Sequence, residues 1–213
     1  MQLFTVHALI DHHALPLVYI LLQSKTQTDY ERVLRKLLEL ENMLAPTSIL
    51  MDFEKAIIQA AQAVFPAAAL KGCLFHLGQS LWRKIQSEGL VTHYWENEAI
   101  RMFMKMLLAL SFIPTEDIPG SFDELNDNHS DELEPIYNYW EDTYIERLRC
   151  NRRSAPTFAV EFWNMRSRVA DGLPRTNNSV EGWHHAFQSA VSCHHPSFYR
   201  LLPHLQKEQD NLY

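Results

Sequence analysis

The stretch SILMDFEKAIIQAAQAVFPAAALKGCLF, residues 48–75, decides the fold of this chain. Its aliphatic start predicts a short buried strand at 48–51, and the apolar spacing that follows predicts a helix at 53–65, ended by Pro66. A second short strand is predicted at 69–75. Strands that alternate with helices indicate an α/β protein, and ligand sites in such proteins collect at the carboxyl ends of strands.

The segments on either side extend this pattern. Residues 2–10 and 16–22 are rich in β-branched and aromatic residues around a polar turn, which predicts an antiparallel hairpin. Residues 28–42 have apolar positions at helical spacing, and residues 76–88 form a further predicted helix. The order strand, strand, helix, strand, helix, strand, helix predicts a mixed sheet with helices packed on its faces.

The next part of the chain is predicted to be all helical. Helical periodicity covers residues 94–112, 131–149 and 157–171, with a loop rich in acids and prolines between the first two segments. Tryptophans in this part are expected to point mostly inward, and stacking of an exposed ring on an extruded base is the alternative. The tryptophans concerned are Trp95, Trp140 and Trp163.

The net charge of −7 is unevenly distributed along the chain. Between Glu116 and Glu146 there are eleven acidic residues and no Lys or Arg, whereas the rest of the chain has 19 basic residues against 15 acidic ones. A basic cluster, RLRCNRR, occupies residues 147–153. Such a cluster can contact a phosphate backbone, and it can equally be an ordinary solvated surface. The nearest basic residues after it are Arg166, Arg168 and Arg175.

Two acidic residues at predicted helix starts each have a structural and a chemical interpretation. Asp52 follows a strand and precedes a helix, where it could cap the helix or bind a metal ion. Glu181 follows Asn178 by three residues, a spacing typical of a capping box, and it could also be a metal ligand. The residues alone leave both alternatives open.

Cys73 and His76 form a Cys-x-x-His pair. A structural zinc site needs about four ligands, usually supplied by two such pairs, and the sequence offers no second pair at suitable spacing. We therefore do not expect structural zinc, and interpret Cys73 as a buried thiol and His76 as a residue that opens the next helix.

Together these motifs resemble the core of Mutator-like element (MULE) transposases. The resemblance rests on LMDFEKAIIQAAQAVFPAAALKGCLFHLGQSLWRKIQ at 50–86 and on GLPRTNNSVEGWHHAFQ at 172–188. The family pattern is a strand that ends in Asp, a helix that closes at Phe-Pro, a Cys-x-x-His pair, a helical insertion and an Asn-Asn-x-x-Glu helix. The segments QLFTVHAL and PLVYILL also resemble its second and third strands.

The resemblance implies a ribonuclease H-like mixed sheet, interrupted by an all-α insertion, and DNA strand cleavage and transfer. Asp52 and Glu181 correspond to the second and third acids of an Asp-Asp-Glu triad that holds Mg²⁺ or Mn²⁺. Residues expected to support them are Cys73, His76, Asn178 and His184. Residues expected to contact DNA are Arg147, Arg149, Arg152, Arg153 and Arg175. The implied parts are a core at 1–91, a helical insertion at 92–175 and a C-terminal core helix at 176–213.

The family's first strand and first aspartate lie upstream of the segment that matches residues 2–9. Asp11 does not replace that acid, because it sits at the hairpin turn, at the wrong end of its strand. The chain as written is therefore expected to be an inactive part of a transposase core, and the alternative is a decayed or host-adopted DNA- or protein-binding module. The expected partners are the transposon ends and a second copy of the chain, and the expected location is the nucleus. We expect no signal peptide or membrane-spanning segment.

Overall fold

The computed structural model describes residues 2–11, 13–149, 152–193 and 196–210. Its first part follows the predicted order of elements, which is confirmed. The elements are β1 (Gln2–Ile10), β2 (His13–Leu22), α1 (Gln27–Leu40), β3 (Ser48–Met51), α2 (Lys55–Val64), β4 (Ala69–Gly72) and α3 (Leu74–Ser87). The predicted second strand of the opening stretch is shorter than expected, because α3 begins at Leu74.

The second part is mostly helical. Its elements are α4 (Val91–Glu96), α5 (Glu98–Ala109), α6 (Ile118–Asn128), α7 (Glu134–Tyr144), β5 (Arg147–Arg149), β6 (Arg152–Ser154), α8 (Val160–Trp163), α9 (Arg166–Ala170), α10 (Asn178–Val191) and α11 (Phe198–Asp210). Short 3-10 turns precede α6 and α7.

Four predictions for this part are wrong. The acid- and proline-rich segment is not a loop but contains α6, since proline is tolerated in the first turn of a helix. The helix predicted at 131–149 ends at Tyr144 and a hairpin follows it. The segment 94–112 is divided at Asn97 between α4 and α5, and the segment 157–171 forms two short helices instead of one. The C-terminal part of the core holds α10, which carries Glu181, and α11.

The strands form separate pairs. β1 and β2 are antiparallel, with a register shift between Val6 and His7. β3 and β4 are parallel, with Met51 opposite Gly72. In the part of the chain that the structure describes, no strand joins these two pairs, so the predicted mixed sheet is present as two ribbons. The ribonuclease H-like arrangement stays a prediction.

Both ribbons pack on the same helices. Tyr30 and Leu34 of α1, Ala60 and Ala61 of α2, and Met51 of β3 form one buried core. The β1–β2 hairpin has apolar contacts on both faces. Side chains on one face join the core under α1 and α2, and those on the other face pack against α10 and α11. The hairpin therefore lies between two helical layers, as an interior strand pair does.

A second core lies among the helices α3 to α7. Trp140 and Trp163 are fully buried in it, which confirms the inward orientation predicted for them. Trp95 is 64% exposed, so the prediction for Trp95 is wrong. The reason is that α4 has only six residues and buries none of them, which leaves Trp95 edge-on to Trp82 and Tyr94 at the surface.

Helix α3 belongs to the first part of the chain in sequence, but its apolar face, which includes Leu77 and Leu81, is part of the second core. Phe53 also connects them, since its ring packs edge-on against Tyr144 and Phe162. The predicted boundary at residues 91 and 92 therefore separates the helices only in sequence, while their packing is continuous. Among the described residues, no helix is long and apolar enough to cross a membrane.

Candidate functional site

Asp52 lies at the carboxyl end of β3 and does not cap the next helix. The residue that precedes α2 is Glu54, and it makes no side-chain capping bond. The Glu54 carboxylate instead accepts a hydrogen bond from the Tyr30 hydroxyl at 3.1 Å and lies 3.7 Å from Lys25 Nζ. The Asp52 side chain is 51% exposed. The capping interpretation of Asp52 is wrong, and its carboxylate is available at the end of the strand.

Cys73 lies beside Asp52 because β3 and β4 are parallel and in register. The Cys73 backbone N–H donates to the Met51 carbonyl at 2.8 Å, which continues the ladder by one residue. The Cys73 side chain is fully buried, as predicted for a thiol at this position. Burial raises the pKa of the Cys73 thiol. Hydrogen bonds with the backbone of Asn177, His76 and Phe75 lower the pKa in part, and the Asp52 charge raises it. The net shift is upward, so the group stays protonated at neutral pH.

Glu181 lies one turn into α10. Its backbone N–H donates to the Asn177 carbonyl at 3.0 Å. Asn178, the predicted cap of this helix, is instead its first helical residue and is exposed. The residue in the capping position is Asn177, and it makes no side-chain capping bond. The capping-box interpretation of Asn178 and Glu181 is therefore wrong, because the helix begins one residue earlier than predicted and its start has no side-chain cap.

His76 lies between the two acids. In the first turn of α3, its Nδ1 lies 3.0 Å from Asp52 Oδ1 and its Nε2 lies 3.6 Å from Glu181 Oε1. Because both oxygens contact one imidazole ring, they are at most about 9 Å apart. His76 Nδ1 is buried and has no aligned hydrogen-bond partner among the described residues, although Asp52 is close. Two acids that are 129 positions apart in sequence thus flank a single ring.

Asn177 completes this arrangement. Its Nδ2 donates to Asp52 Oδ1 at 2.9 Å, and its Oδ1 accepts a hydrogen bond from the Cys73 thiol at 3.0 Å. Asn178 is a predicted supporting residue, whereas Asn177 is not among the predicted ones. The available signal was the pair of adjacent asparagines, but the choice between them depends on the residue at which the helix begins.

His184 connects α10 to the hairpin. Its Nε2 lies 3.0 Å from Thr5 Oγ1, and the same hydroxyl lies 3.0 Å from His7 Nε2. Burial lowers the pKa of His184, and the charges of Asp52 and Glu181 counteract this effect in part. His184 thus lies close enough to both acids to sense their charge, and it fixes the helix that carries Glu181 against β1.

A groove beside the site presents one of the predicted DNA-contacting arginines. It has a volume of about 530 Å³ and is lined by Leu74, by residues 172–176 and by Asn178. Arg175 in this segment is exposed, and its backbone carbonyl accepts a hydrogen bond from the Leu74 N–H at 3.0 Å. The side chains of Arg147, Arg149, Arg152 and Arg153 lie outside the described residues.

Arg168 is not part of a basic surface. It is 5% exposed, and burial lowers the pKa of its guanidinium. Its Nε donates to the Pro174 carbonyl at 2.7 Å, and one terminal nitrogen donates to Ser48 Oγ at 3.3 Å. Arg168 therefore links the segment before α10 to the start of β3, the strand that directly precedes Asp52.

The donors of the site match a hard divalent cation in chemistry, because carboxylate oxygens are its preferred ligands. Within the described ranges, however, no three His, Cys, Asp or Glu side chains converge on one point as a metal cage would require. The two carboxylates instead face each other across His76. The arrangement can therefore place one acid on each side of a cation or of another positively charged group.

The comparisons with known proteins identify one family. The model of the MULE transposase domain matches residues 1–80. No curated protein and no solved structure matches the chain. The matched segment contains Asp52, Cys73 and His76, whereas Glu181 lies outside it and is brought to the same site by the fold. Residues 1–80 thus match the MULE transposase domain, and the resemblance of this chain to MULE transposases is confirmed over that segment.

Proposed function

We propose that this chain supplies part of the catalytic core of a DDE-type DNA transposase, with Asp52 and Glu181 as two of its acids. The activity is DNA strand cleavage and transfer on a ribonuclease H-like core. The observation that carries this proposal is the approach of both carboxylates to His76, at 3.0 Å and 3.6 Å. The MULE transposase domain match over residues 1–80 supports it independently.

A divalent ion, Mg²⁺ or Mn²⁺, fits the chemistry of these donors. Asp52 and Glu181 would hold it, and both side chains are accessible, at 51% and 36% exposure. When bound, the ion supplies Lewis-acid stabilisation of the oxygens that gain charge in a phosphoryl displacement. The carboxylates reach one site from separate elements, β3 and α10, as such an ion requires.

The remaining residues of the site bind and orient. Asn177 holds the Asp52 carboxylate, and His184 fixes α10 against the hairpin. Arg175 places a positive charge in the groove beside the acids, where it can contact a phosphate of the DNA backbone. We expect this contribution to weaken as salt concentration rises, because phosphate contacts release counterions.

Asp52 and Glu181 are two acids of an expected triad. A site for two ions that has only these two carboxylates loses charge and geometry together, so we expect no strand cleavage above background from Asp52 and Glu181 alone. By the same proposal the DNA is a transposon end, the protein acts in the nucleus, and a second copy of the chain takes part in the assembly.

A second candidate function is a non-catalytic DNA- or protein-binding module. It is favoured by two observations: the His76 ring lies between the two carboxylates, and the described residues do not form a preformed metal cage. In this case Asp52, His76 and Glu181 would act as a polar link between α3 and α10 and would bind no ion.

The experiment that separates the two candidates is DNA binding with and without Mn²⁺. A fluorescent DNA duplex is titrated with the wild type, Asp52→Asn, Glu181→Gln and the exposed control Glu124→Gln. The catalytic proposal predicts Mn²⁺-stimulated binding that both site variants lose and that Glu124→Gln retains. Equal binding with and without Mn²⁺ in all four proteins would refute it and favour the non-catalytic module.

A further inference from the structure

The side chain of Asn177 does not perform the usual task of an asparagine at a helix start. An asparagine in the capping position normally accepts hydrogen bonds from the first helical N–H groups. Asn97 does so at the start of α5, where its Oδ1 accepts from the N–H groups of Ala99 and Ile100. Asn177 precedes α10 in the same way but makes no such bond. Its side chain is committed to other partners.

Those partners are a carboxylate and a thiol. Nδ2 of Asn177 donates to Asp52 at 2.9 Å, and its Oδ1 accepts from Cys73 at 3.0 Å. Only one orientation of the amide satisfies both, because the reversed amide would place an oxygen against the carboxylate. Cys73 enforces this orientation as long as its thiol is protonated, and burial keeps it so.

The bridge joins three chain segments that carry the site. Asp52 directly follows β3, Cys73 directly follows β4, and Asn177 precedes the helix that carries Glu181. The backbone carbonyl of Asn177 also accepts the N–H of Glu181, so one residue is bonded to both acids. A neighbouring backbone bond, from Leu74 to Arg175, fixes the same segment to α3.

We propose that Asn177 is a positioning residue that holds Asp52 and Glu181 in register, and that Cys73 orients its amide. This inference rests on the proposed function, because it concerns the same pair of acids. It gives the Cys-x-x-His pair a role other than zinc binding. Cys73 acts through Asn177 on Asp52, while His76 lies between Asp52 and Glu181.

The first test is the affinity of the full chain for Mn²⁺, measured by electron paramagnetic resonance of the free ion. We expect Asn177→Ala to weaken binding about tenfold, the loss that corresponds to one charge-assisted hydrogen bond. Cys73→Ala should weaken it by a similar factor, and Cys73→Ser should restore affinity to within about twofold, because a hydroxyl still donates to the amide.

The control is Asn97→Ala, which removes the capping asparagine of α5, a helix that carries none of the site residues. It should lower thermal stability as Asn177→Ala does, and leave Mn²⁺ affinity unchanged. If Asn97→Ala and Asn177→Ala shift Mn²⁺ affinity equally, or if Cys73→Ser behaves as Cys73→Ala, the positioning role is refuted.

A second measurement separates failure of this inference from failure of the proposed function. Urea unfolding without metal is measured for Asp52→Ala, Asn177→Ala and the double variant. We expect the two sites to be coupled by about tenfold, or about 1.4 kcal/mol. Additive effects would overturn the bridge itself. Coupling without any Mn²⁺ binding by the wild type would overturn the proposed function, and with it the positioning role, and leave only a structural link.

Discussion

Gly72 offers a sharp test of how the site is supported from behind. It is the last residue of β4, and it is buried against the side chain of Phe53, the residue after Asp52. A Cβ atom added at Gly72 would lie 2.6 Å from Phe53 Cζ and 2.7 Å from Phe162 Cε1. Carbon atoms in contact are normally about 3.5–4.0 Å apart, so the added methyl group overlaps both rings by about 1 Å.

We therefore expect Gly72→Ala to destabilise the protein. Overpacking of this kind costs about 1–3 kcal/mol, and the reduced freedom of the unfolded chain offsets about 0.4–1 kcal/mol of it. The expected net loss is about 1–2 kcal/mol, which corresponds to a fall in Tm of several degrees. Because Phe53 must move and is bonded to Asp52, Mn²⁺ affinity should fall as well.

The assay is urea unfolding followed by tryptophan fluorescence, with the midpoint and slope compared between variants. The matched control is Gly120→Ala in α6, where an added Cβ meets nothing within 4 Å. That change should stabilise the protein by up to about 1 kcal/mol, because alanine favours helix over glycine. A Gly72→Ala variant as stable as the wild type would refute the packing argument.

Three further predictions concern other parts of the molecule. Trp163→Phe should lower the free energy of unfolding in urea by about 1 kcal/mol more than Trp140→Phe does. The reason is that, within the described structure, the indole N–H of Trp163 donates to a carbonyl and that of Trp140 does not. Equal losses would contradict this. Arg168→Met should lower the free energy of unfolding by about 1.5–3 kcal/mol, whereas the exposed control Arg166→Met should change it by no more than about 0.5 kcal/mol. Similar losses in the two variants would show that the buried hydrogen bonds of Arg168 do not stabilise the fold. Burial lowers the pKa of His7 to about 4, so the unfolded chain binds this proton first and stability should fall as pH drops from about 6.5 towards 4; a His7→Gln variant with the same pH profile would contradict this.

The elements of the first part could be predicted from sequence because their signals are local. The order of strands and helices through α3 is predicted by three signals: the apolar periodicity, the turn before β2 and the helix end at Pro66. The limits of elements were less predictable. The helix predicted through residue 149 ends at Tyr144, since the hairpin that replaces it is set by pairing and not by local preference.

The site was predictable in part. The resemblance predicts Asp52 and Glu181 as acids of the site, and no local signal could show that residues so far apart in sequence both lie next to His76. Asn177 was missed because two adjacent asparagines satisfy the same capping preference. A shift of one residue in the helix start decides which of them faces Asp52. The exposure of Trp95 was missed for a related reason, because it depends on whether a short helix finds a packing partner.

The most direct test of the central claim, that Asp52 and Glu181 hold one divalent ion, is calorimetric titration of Mn²⁺ into four proteins. These are the wild type, Asp52→Asn, Glu181→Gln and the double variant, each with thermal stability measured without metal. We expect each single change to weaken binding about tenfold with little change in stability, and the double variant to bind no more weakly than the single ones. Equal Mn²⁺ affinity in the wild type and Glu181→Gln would contradict the claim.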